Sequence, residues 1–168
     1  MKKFELTTEF ITNAFGKKLF RIKALVEFGD VKAGELGGYV EKEGNVSQAG
    51  NAWVYGNARV SGDARVSGNA EVSGNAEVYG DARVCGNAWV YGNADYALVQ
   101  GFGTEFRCTT FYRGKNKKIM VNCGCFHGDL EGFRKQVKET RNGKIAKEYL
   151  MIADLMEYHF TSEDSSDE

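Results

Sequence analysis

A six-residue repeat runs without a gap through the middle of this 168-residue chain. From Gly50 the sequence reads GNAWVY GNARVS GDARVS GNAEVS GNAEVY GDARVC GNAWVY GNADYA, which makes eight consecutive hexads ending at Ala97. A ninth, degenerate hexad, GNVSQA, precedes them at residues 44–49. Because a six-residue turn without a hairpin partner has to coil, the repeat predicts a coiled β structure. The 21 glycines and the absence of proline fit a structure with many tight corners.

Each position of the hexad has its own structural task. The valine at the fifth position recurs from Val54 to Val90, and because six is a multiple of two, these side chains point the same way in an extended segment. The alanine two residues earlier also points inward, and the residue between them faces solvent. Glycine followed by asparagine or aspartate forms the corner, since these residues adopt positive φ at the lowest cost.

The repeat also indicates how many residues make one coil. Three six-residue faces close a triangular prism of 18 residues per coil. Aspartate replaces asparagine in the corner only at Asp63 and Asp81, which are 18 residues apart, and the same Ala-Arg-Val follows each of them. The string GNAWVYGNA occurs twice, 36 residues apart, which corresponds to two coils. The predicted register therefore places Arg65 beside Arg83.

The same register predicts a column of aromatic side chains on one outer face. It aligns Trp53, Glu71 and Trp89, with Tyr55, Ser73 and Tyr91 in the column beside them. The fold does not need tryptophan there, and each aromatic side chain can bury ~150–250 Å², so the column forms a patch that we expect to be covered. Two interpretations stay open: a trimer interface or a flanking cap covers it, or it stacks on a nucleobase or a protein partner.

Arginines on the other outer faces suggest a site for a small anion. Stacked Arg65 and Arg83 repel each other unless the neighbouring aspartates offset their charge or an anion lies between them, and paired arginines are well suited to phosphate. A salt-paired surface is the alternative. The candidate ligand-binding residues are therefore Arg59, Arg65 and Arg83, together with Trp53, Trp89, Tyr55 and Tyr91.

The hexads resemble the hexapeptide repeat of left-handed parallel β-helix proteins. In that pattern an aliphatic residue is followed four positions later by a small one, as Val54 is by Ala58. The segments VKAGELGGYVEKEGN before the repeats and VNCGCFHGDLEGF near the end look like a group of bacteriophage and prophage proteins described as hexapeptide-transferase-like. The resemblance implies the left hand of the coil, a trimer and a phage origin.

The predicted fold is mainly β: a short left-handed parallel β-helix with an N-terminal β cap and a C-terminal α+β element. We assign residues 1–43 to the cap, 44–97 to the β-helix, 98–160 to a β-hairpin with two helices, and 161–168 to an acidic disordered tail. The eight hexads make only about 2.7 coils with a core of valine and alanine, which is little apolar surface to offset chain entropy. Side-by-side association is therefore expected.

The C-terminal element has recognisable start and stop signals. We expect hairpin strands at residues 105–113 and 118–126, with the turn between them. Asp129 is placed to N-cap a helix over Leu130–Thr140, and a second helix follows over 145–160. The face of this second helix that we expect to be buried consists of Ile145, Tyr149, Ile152, Leu155, Met156 and His159.

Composition excludes several classes of protein. With 22 basic and 23 acidic residues, the net charge of −1 argues against a dedicated nucleic-acid binder. No apolar run approaches the ~18 residues of a membrane span, and the N-terminus lacks the apolar segment of a signal peptide. We therefore expect a cytoplasmic protein, the host cytoplasm if phage-encoded, in which the four cysteines are not a disulfide framework.

Catalytic residues are hard to find in the repeat. Hexapeptide acyltransferases, which the prism resembles, use a histidine as general base at a subunit interface and bind acyl-CoA there. The two histidines of this chain, His127 and His159, lie outside the hexads, and no hexad residue provides a base with a pKa near neutrality. We predict no catalytic residue and no cofactor.

A cluster of thiols raises the alternative of a metal site. Cys123, Cys125 and His127 lie close together in sequence, and Cys108 falls opposite Cys123 if the hairpin turns at residues 115–116. Three thiolates and one imidazole are suitable zinc ligands. Cysteines in a cytosolic strand more often contribute to packing, and Cys-x-Cys is not the usual spacing, so we predict no metal.

These observations favour a non-catalytic, trimeric binding protein of phage type. We expect it to counter host defence by sequestering a nucleotide signal, which is a small anionic ligand, or a host protein. One alternative is a hexapeptide acyltransferase that uses acyl-CoA. The other is a structural assembly protein.

Overall fold

The structure, a computed structural model, describes residues 1–162. The chain forms two compact units, one spanning Met1–Asn93 and one that begins at Ala94. Most of the acidic tail predicted at 161–168 lies outside the described residues. No helix in the described part is long and apolar enough to cross a membrane.

The first unit begins with three antiparallel strands. These are β1 (Phe4–Thr12), β2 (Lys18–Ala24) and β3 (Leu36–Val40), and β2 lies between the other two. β3 then pairs in parallel with the repeat region, where Tyr39 lies opposite Arg59. The N-terminal strands thus continue one ladder of the repeat region.

The repeat region consists of seven two-residue strands. They are β4 (Trp53–Val54), β5 (Arg59–Val60), β6 (Arg65–Val66), β7 (Glu71–Val72), β8 (Glu77–Val78), β9 (Arg83–Val84) and β10 (Trp89–Val90). They pair in parallel in three ladders, β4–β7–β10, β5–β8 and β6–β9. Every pair joins residues 18 apart, as in Arg65 with Arg83, so the predicted 18-residue register is confirmed.

Small residues make this stacking possible. The repeat valines from Val54 to Val90 and the alanines from Ala52 to Ala88 are completely buried, as their alternation predicts. The corner glycines have positive φ, +68° at Gly68 for example. A Cβ added at Gly68 would lie 2.9 Å from the backbone nitrogen of Gly86, so glycine is also required there because successive coils approach closely.

The first coil has backbone carbonyls that no preceding coil can satisfy, and the N-terminal segment supplies their donors. The backbone amide of Tyr39 donates to Ala58 O at 3.0 Å. The buried Asn45 side chain donates through Nδ2 to the carbonyls of Gly62 and Ala64, at 3.1 and 2.9 Å. Lys3 Nζ donates to the carbonyls of Gly50 and Ala52. An open sheet edge is thereby closed within the chain.

The second unit is a four-stranded antiparallel sheet with two helices. In sheet order its strands are β11 (Tyr96–Val99), β12 (Thr109–Arg113), β13 (Ile119–Cys123) and β14 (Phe126–Asp129). The predicted hairpin corresponds to β12 and β13, but β12 begins four residues later than expected. Phe106, just before it, has a φ of +49°, which is incompatible with a strand. The second predicted strand, 118–126, was too long, because β13 ends at Cys123 and the chain turns there into β14.

The two helices follow directly. α1 spans Leu130–Thr140 as predicted, and the Asp129 carboxylate accepts a hydrogen bond from the Gly132 amide at 2.8 Å. α2 spans Gly143–Thr161. The buried face predicted for α2 is partly wrong, because Leu155 and His159 are exposed. The residues that α2 buries are Tyr149, Ala153, Met156 and Phe160, at spacings of four, three and four.

Candidate functional site

Trp53 is covered by other residues of the chain, as the flanking-cap interpretation of the aromatic column predicts. Its side chain is 0% exposed and lies in register with Glu71, as predicted. It makes edge-to-face contacts with Phe4 at 5.9 Å and Phe28 at 5.3 Å between ring centroids. The N-terminal segment therefore covers this position, which agrees with the flanking-cap interpretation and removes Trp53 from the candidate ligand-binding residues.

The remaining aromatic residues of the column differ in exposure. Trp89 is 46% and Tyr91 is 65% exposed, so two large rings lie on the surface near the C-terminal end of the repeat region. Tyr55 is half-buried, and its burial, together with the nearby Glu71 carboxylate, raises its pKa to about 12. Tyr55 is therefore a neutral hydroxyl at physiological pH. Because Trp53 is buried and Tyr55 is half-buried, the accessible part of the aromatic column consists of Trp89 and Tyr91.

The predicted arginine column is present. Arg65 and Arg83 are exposed and lie directly opposite each other on β6 and β9. Asp63 does not offset Arg65 by an ion pair, because its carboxylate binds Lys42 Nζ at 2.7 Å, and this contact lowers its pKa. Like charges at opposite positions of a strand pair are unfavourable.

Arg59 lies in a cleft rather than on an open face. Its guanidinium is 3.2 Å from the Glu77 carboxylate of the next coil. The cleft, of about 310 Å³, separates this face from the turn between β1 and β2. Its lining consists of Asn13, Ala14, Phe15 and Leu19 on one side and Arg59, Ser61, Glu77 and Tyr79 on the other.

Two aromatic side chains at the cleft escaped the sequence-based prediction. Phe15 is 84% exposed at the tip of the β1–β2 turn, and Tyr79 is 56% exposed on the repeat face. A signal for Tyr79 was present, because it replaces the serine or cysteine found at the sixth position of several hexads. No local pattern indicated that the turn carrying Phe15 folds back toward this face.

Cys123 and His127 are engaged in separate local contacts. Thr109, not Cys108, lies opposite Cys123, and its hydroxyl donates to Cys123 Sγ at 3.1 Å. The expected pairing of Cys108 with Cys123 is therefore wrong by one residue. His127 Nε2 shares a hydrogen bond with the Tyr112 hydroxyl at 2.9 Å. Within residues 1–162, no three His, Cys, Asp or Glu side chains are grouped so that they could hold a metal ion.

Comparison with known proteins agrees with the fold. A family model described as YdcK β-solenoid repeat matches residues 52–68 and 76–92, which lie within the stacked strands. A search of curated proteins found no match. The parallel ladders and the family match together support a repeat of β-solenoid type over these residues, in a chain that is mainly β with C-terminal helices.

Proposed function

We propose that this chain is a non-catalytic binding protein whose ligand site is the cleft between the β1–β2 turn and the face formed by β5 and β8. The observation that carries the proposal is the pair of exposed rings, Phe15 and Tyr79, on opposite walls of one cleft of about 310 Å³. Aromatic rings exposed in a concave site favour a planar ligand, since stacking contributes ~1–3 kcal/mol per base.

The polar groups of the cleft suit a nucleotide. Arg59 offers a planar set of N–H donors, and Glu77 holds it beside the aromatic wall. Ser61 and Asn13 add hydroxyl and amide groups on either side. Arg65 and Arg83 lie opposite each other one hexad further along the chain, outside the cleft.

The biological setting is part of the same proposal. The resemblance of the hexads to left-handed β-helix proteins supports a left-handed solenoid of hexapeptide repeats. The phage-like flanking segments support a phage or prophage origin, with the protein acting in the host cytoplasm. In that setting, the cleft would sequester a nucleotide signal used in host defence, and a host protein is the other ligand class.

We also propose that the protein assembles as a trimer. The N-terminal segment covers the aromatic column at Trp53, whereas Trp89 and Tyr91 are left exposed on the same face. Side-by-side packing of three copies through this patch would cover both rings. The resemblance to hexapeptide proteins, which typically form trimers, supports this assembly.

A thermal-shift screen with mononucleotides, dinucleotides and cyclic nucleotides tests the ligand class. We expect stabilisation by at least one nucleotide, reduced in Phe15→Ala and in Tyr79→Ala. The double variant Arg65→Ala/Arg83→Ala should weaken binding less, because these residues lie outside the cleft. Loss of binding only in the arginine double variant would move the site to β6 and β9 and contradict the cleft.

Native mass spectrometry of the protein purified from a bacterial lysate separates the alternative functions. A retained nucleotide supports sequestration. Retained CoA would support a hexapeptide acyltransferase, and acetyl-CoA turnover that disappears in His127→Ala would establish one. No nucleotide binding in either experiment would contradict the proposal and favour a structural assembly protein.

A further inference from the structure

The second unit contains a small cavity of its own, of about 90 Å³. It lies where the β13–β14 turn meets α1 and α2, beneath the loop that precedes β12. Its lining includes Arg107, Cys125, Phe133, Thr140, Arg141 and Tyr149. One water needs roughly 10–15 Å³ of such space, so the cavity holds several non-hydrogen atoms.

Among the described residues, two arginines that line the cavity, Arg107 and Arg141, have no carboxylate partner. In the second unit, Arg113 pairs with Asp95 at 3.0 Å. Arg134 pairs with three carboxylates, those of Glu131, Asp154 and Glu157. By contrast, neither Arg107 nor Arg141 forms an ion pair with a carboxylate anywhere in residues 1–162. Arg141 donates through Nη1 only to the carbonyl of Thr140, at 3.2 Å.

Two glycines allow this cavity to keep its shape. A Cβ added at Gly124 would lie 2.6 Å from Arg107 Nη1, so the guanidinium lies directly against the β13–β14 turn. A Cβ added at Gly103 would lie 2.5 Å from the Tyr149 hydroxyl. That hydroxyl donates to the carbonyl of Phe102 at 3.2 Å and ties the loop to α2. The lining is therefore built by specific contacts.

The rest of the lining is divided between apolar and polar groups. Phe133 and Val137 of α1 are buried and form an apolar wall. Thr104, Thr140 and Gln136 provide hydroxyl and amide groups. Among the described residues, Glu105 is the one acidic side chain in the lining, compared with two guanidiniums. Arginine guanidiniums beside an apolar wall are typical of sites that recognise the head group of a small organic anion.

We propose that this cavity binds a small oxyanion, a carboxylate or phosphate group on a short apolar stem, between Arg107 and Arg141. The guanidiniums hold the charged head group through charge-assisted hydrogen bonds, and the wall formed by Phe133 and Val137 receives the stem. The cavity is too small for a nucleotide. The proposal shares no residue with the cleft of the first unit and does not rest on it.

Calorimetric titration of the full chain with inorganic phosphate and with butyrate, at constant ionic strength, tests this site. We expect saturable binding of at least one probe, weakened tenfold or more in Arg107→Gln and in Arg141→Gln. Lys138→Gln, which removes an exposed cation from α1 outside the cavity, should bind as the wild type does. Binding of phosphate alone identifies a phosphate-bearing ligand, and binding of butyrate alone identifies a carboxylate.

A thiol in the lining gives a second readout. Cys125 is exposed and lines the cavity, so a bound anion should slow its alkylation by a neutral maleimide. Circular dichroism checks that each glutamine variant folds. If one does not, Arg107→Lys or Arg141→Lys replaces it, since lysine keeps the positive charge and loses only the planar set of N–H donors. Non-saturable uptake of both probes, or saturable binding unchanged in both arginine variants, would overturn the proposal.

Discussion

At the scale of single residues, the first unit buries one large aromatic side chain, Trp53, and one charged side chain, Lys3. Among the described residues, Trp53 is the largest that is fully buried, and its indole Nε1–H has no hydrogen-bond partner there. Lys3 is almost completely buried, donates to two backbone carbonyls, and lies 4.7 Å above the Phe28 ring. The burial of each residue leads to a specific prediction for the free energy of unfolding.

Two replacements of Trp53 should separate the contribution of its packing to stability from the cost of burying its indole N–H. Trp53→Ala leaves a cavity between Phe4 and Phe28 and should cost about 3–5 kcal/mol of unfolding free energy. Trp53→Phe keeps most of the contacts and removes the orphan N–H, whose burial costs roughly 1–3 kcal/mol, so its loss should be clearly smaller. Urea unfolding measures both values. Equal losses in the two variants would contradict the packing described for Trp53.

Lys3 should make stability depend on pH in the alkaline range. Burial lowers its pKa from 10.5 to about 8 in the folded protein. Between these values the unfolded chain binds more protons than the folded chain, so the free energy of unfolding should rise as pH increases from 8 to 10.5. Lys3→Met removes this contribution. The difference in unfolding free energy between wild type and Lys3→Met should therefore change across that window, and a constant difference would refute the burial effect.

At the scale of elements, side chains of the N-terminal segment close the first edge of the stacked strands. Asn45 occupies the asparagine position of the degenerate hexad, yet it is completely buried, whereas the equivalent Asn69 is exposed. Within residues 1–162, the Asn69 side-chain amide donates only to the Asn87 side chain, at 3.3 Å. The same hexad position thus serves as an edge cap in one place and a surface residue in the other.

Asn45→Ala should be far more damaging than Asn69→Ala. The first change leaves the carbonyls of Gly62 and Ala64 without a donor, at roughly 1–3 kcal/mol for each buried group. The second removes an exposed side-chain contact and should alter the unfolding free energy by less than about 0.5 kcal/mol. Chemical denaturation compares the two variants directly, and similar losses would show that Asn45 is not an edge cap.

Much of the fold was predictable from residue patterns within single segments. The features that could not be predicted share one cause. The 18-residue register follows from Asp63 and Asp81, and the start of α1 follows from Asp129, because both signals lie within the segment concerned. The burial of Trp53 depends on Phe4 and Phe28, which the hexad pattern does not include. The cleft likewise needs Phe15 from a distant turn. Residues brought together across the chain have no periodic signature.

At the scale of the whole molecule, the exposed part of the aromatic column bears on assembly. Trp89→Ala/Tyr91→Ala removes the two rings that we propose to lie between subunits. Sedimentation should show a trimer for the wild type and a smaller species for the double variant at the same concentration. A monomeric wild type would contradict the proposed trimer.

The central claim, a ligand cleft between the β1–β2 turn and the repeat face, is tested most directly by calorimetry. The nucleotide most stabilising in the screen is titrated into wild type, Phe15→Ala/Tyr79→Ala and Trp89→Ala/Tyr91→Ala. Loss of stacking at ~1–3 kcal/mol per base predicts at least fivefold weaker binding in the first variant. The second, matched for two exposed rings outside the cleft, should retain wild-type affinity per chain. Undiminished affinity in Phe15→Ala/Tyr79→Ala would contradict the claim.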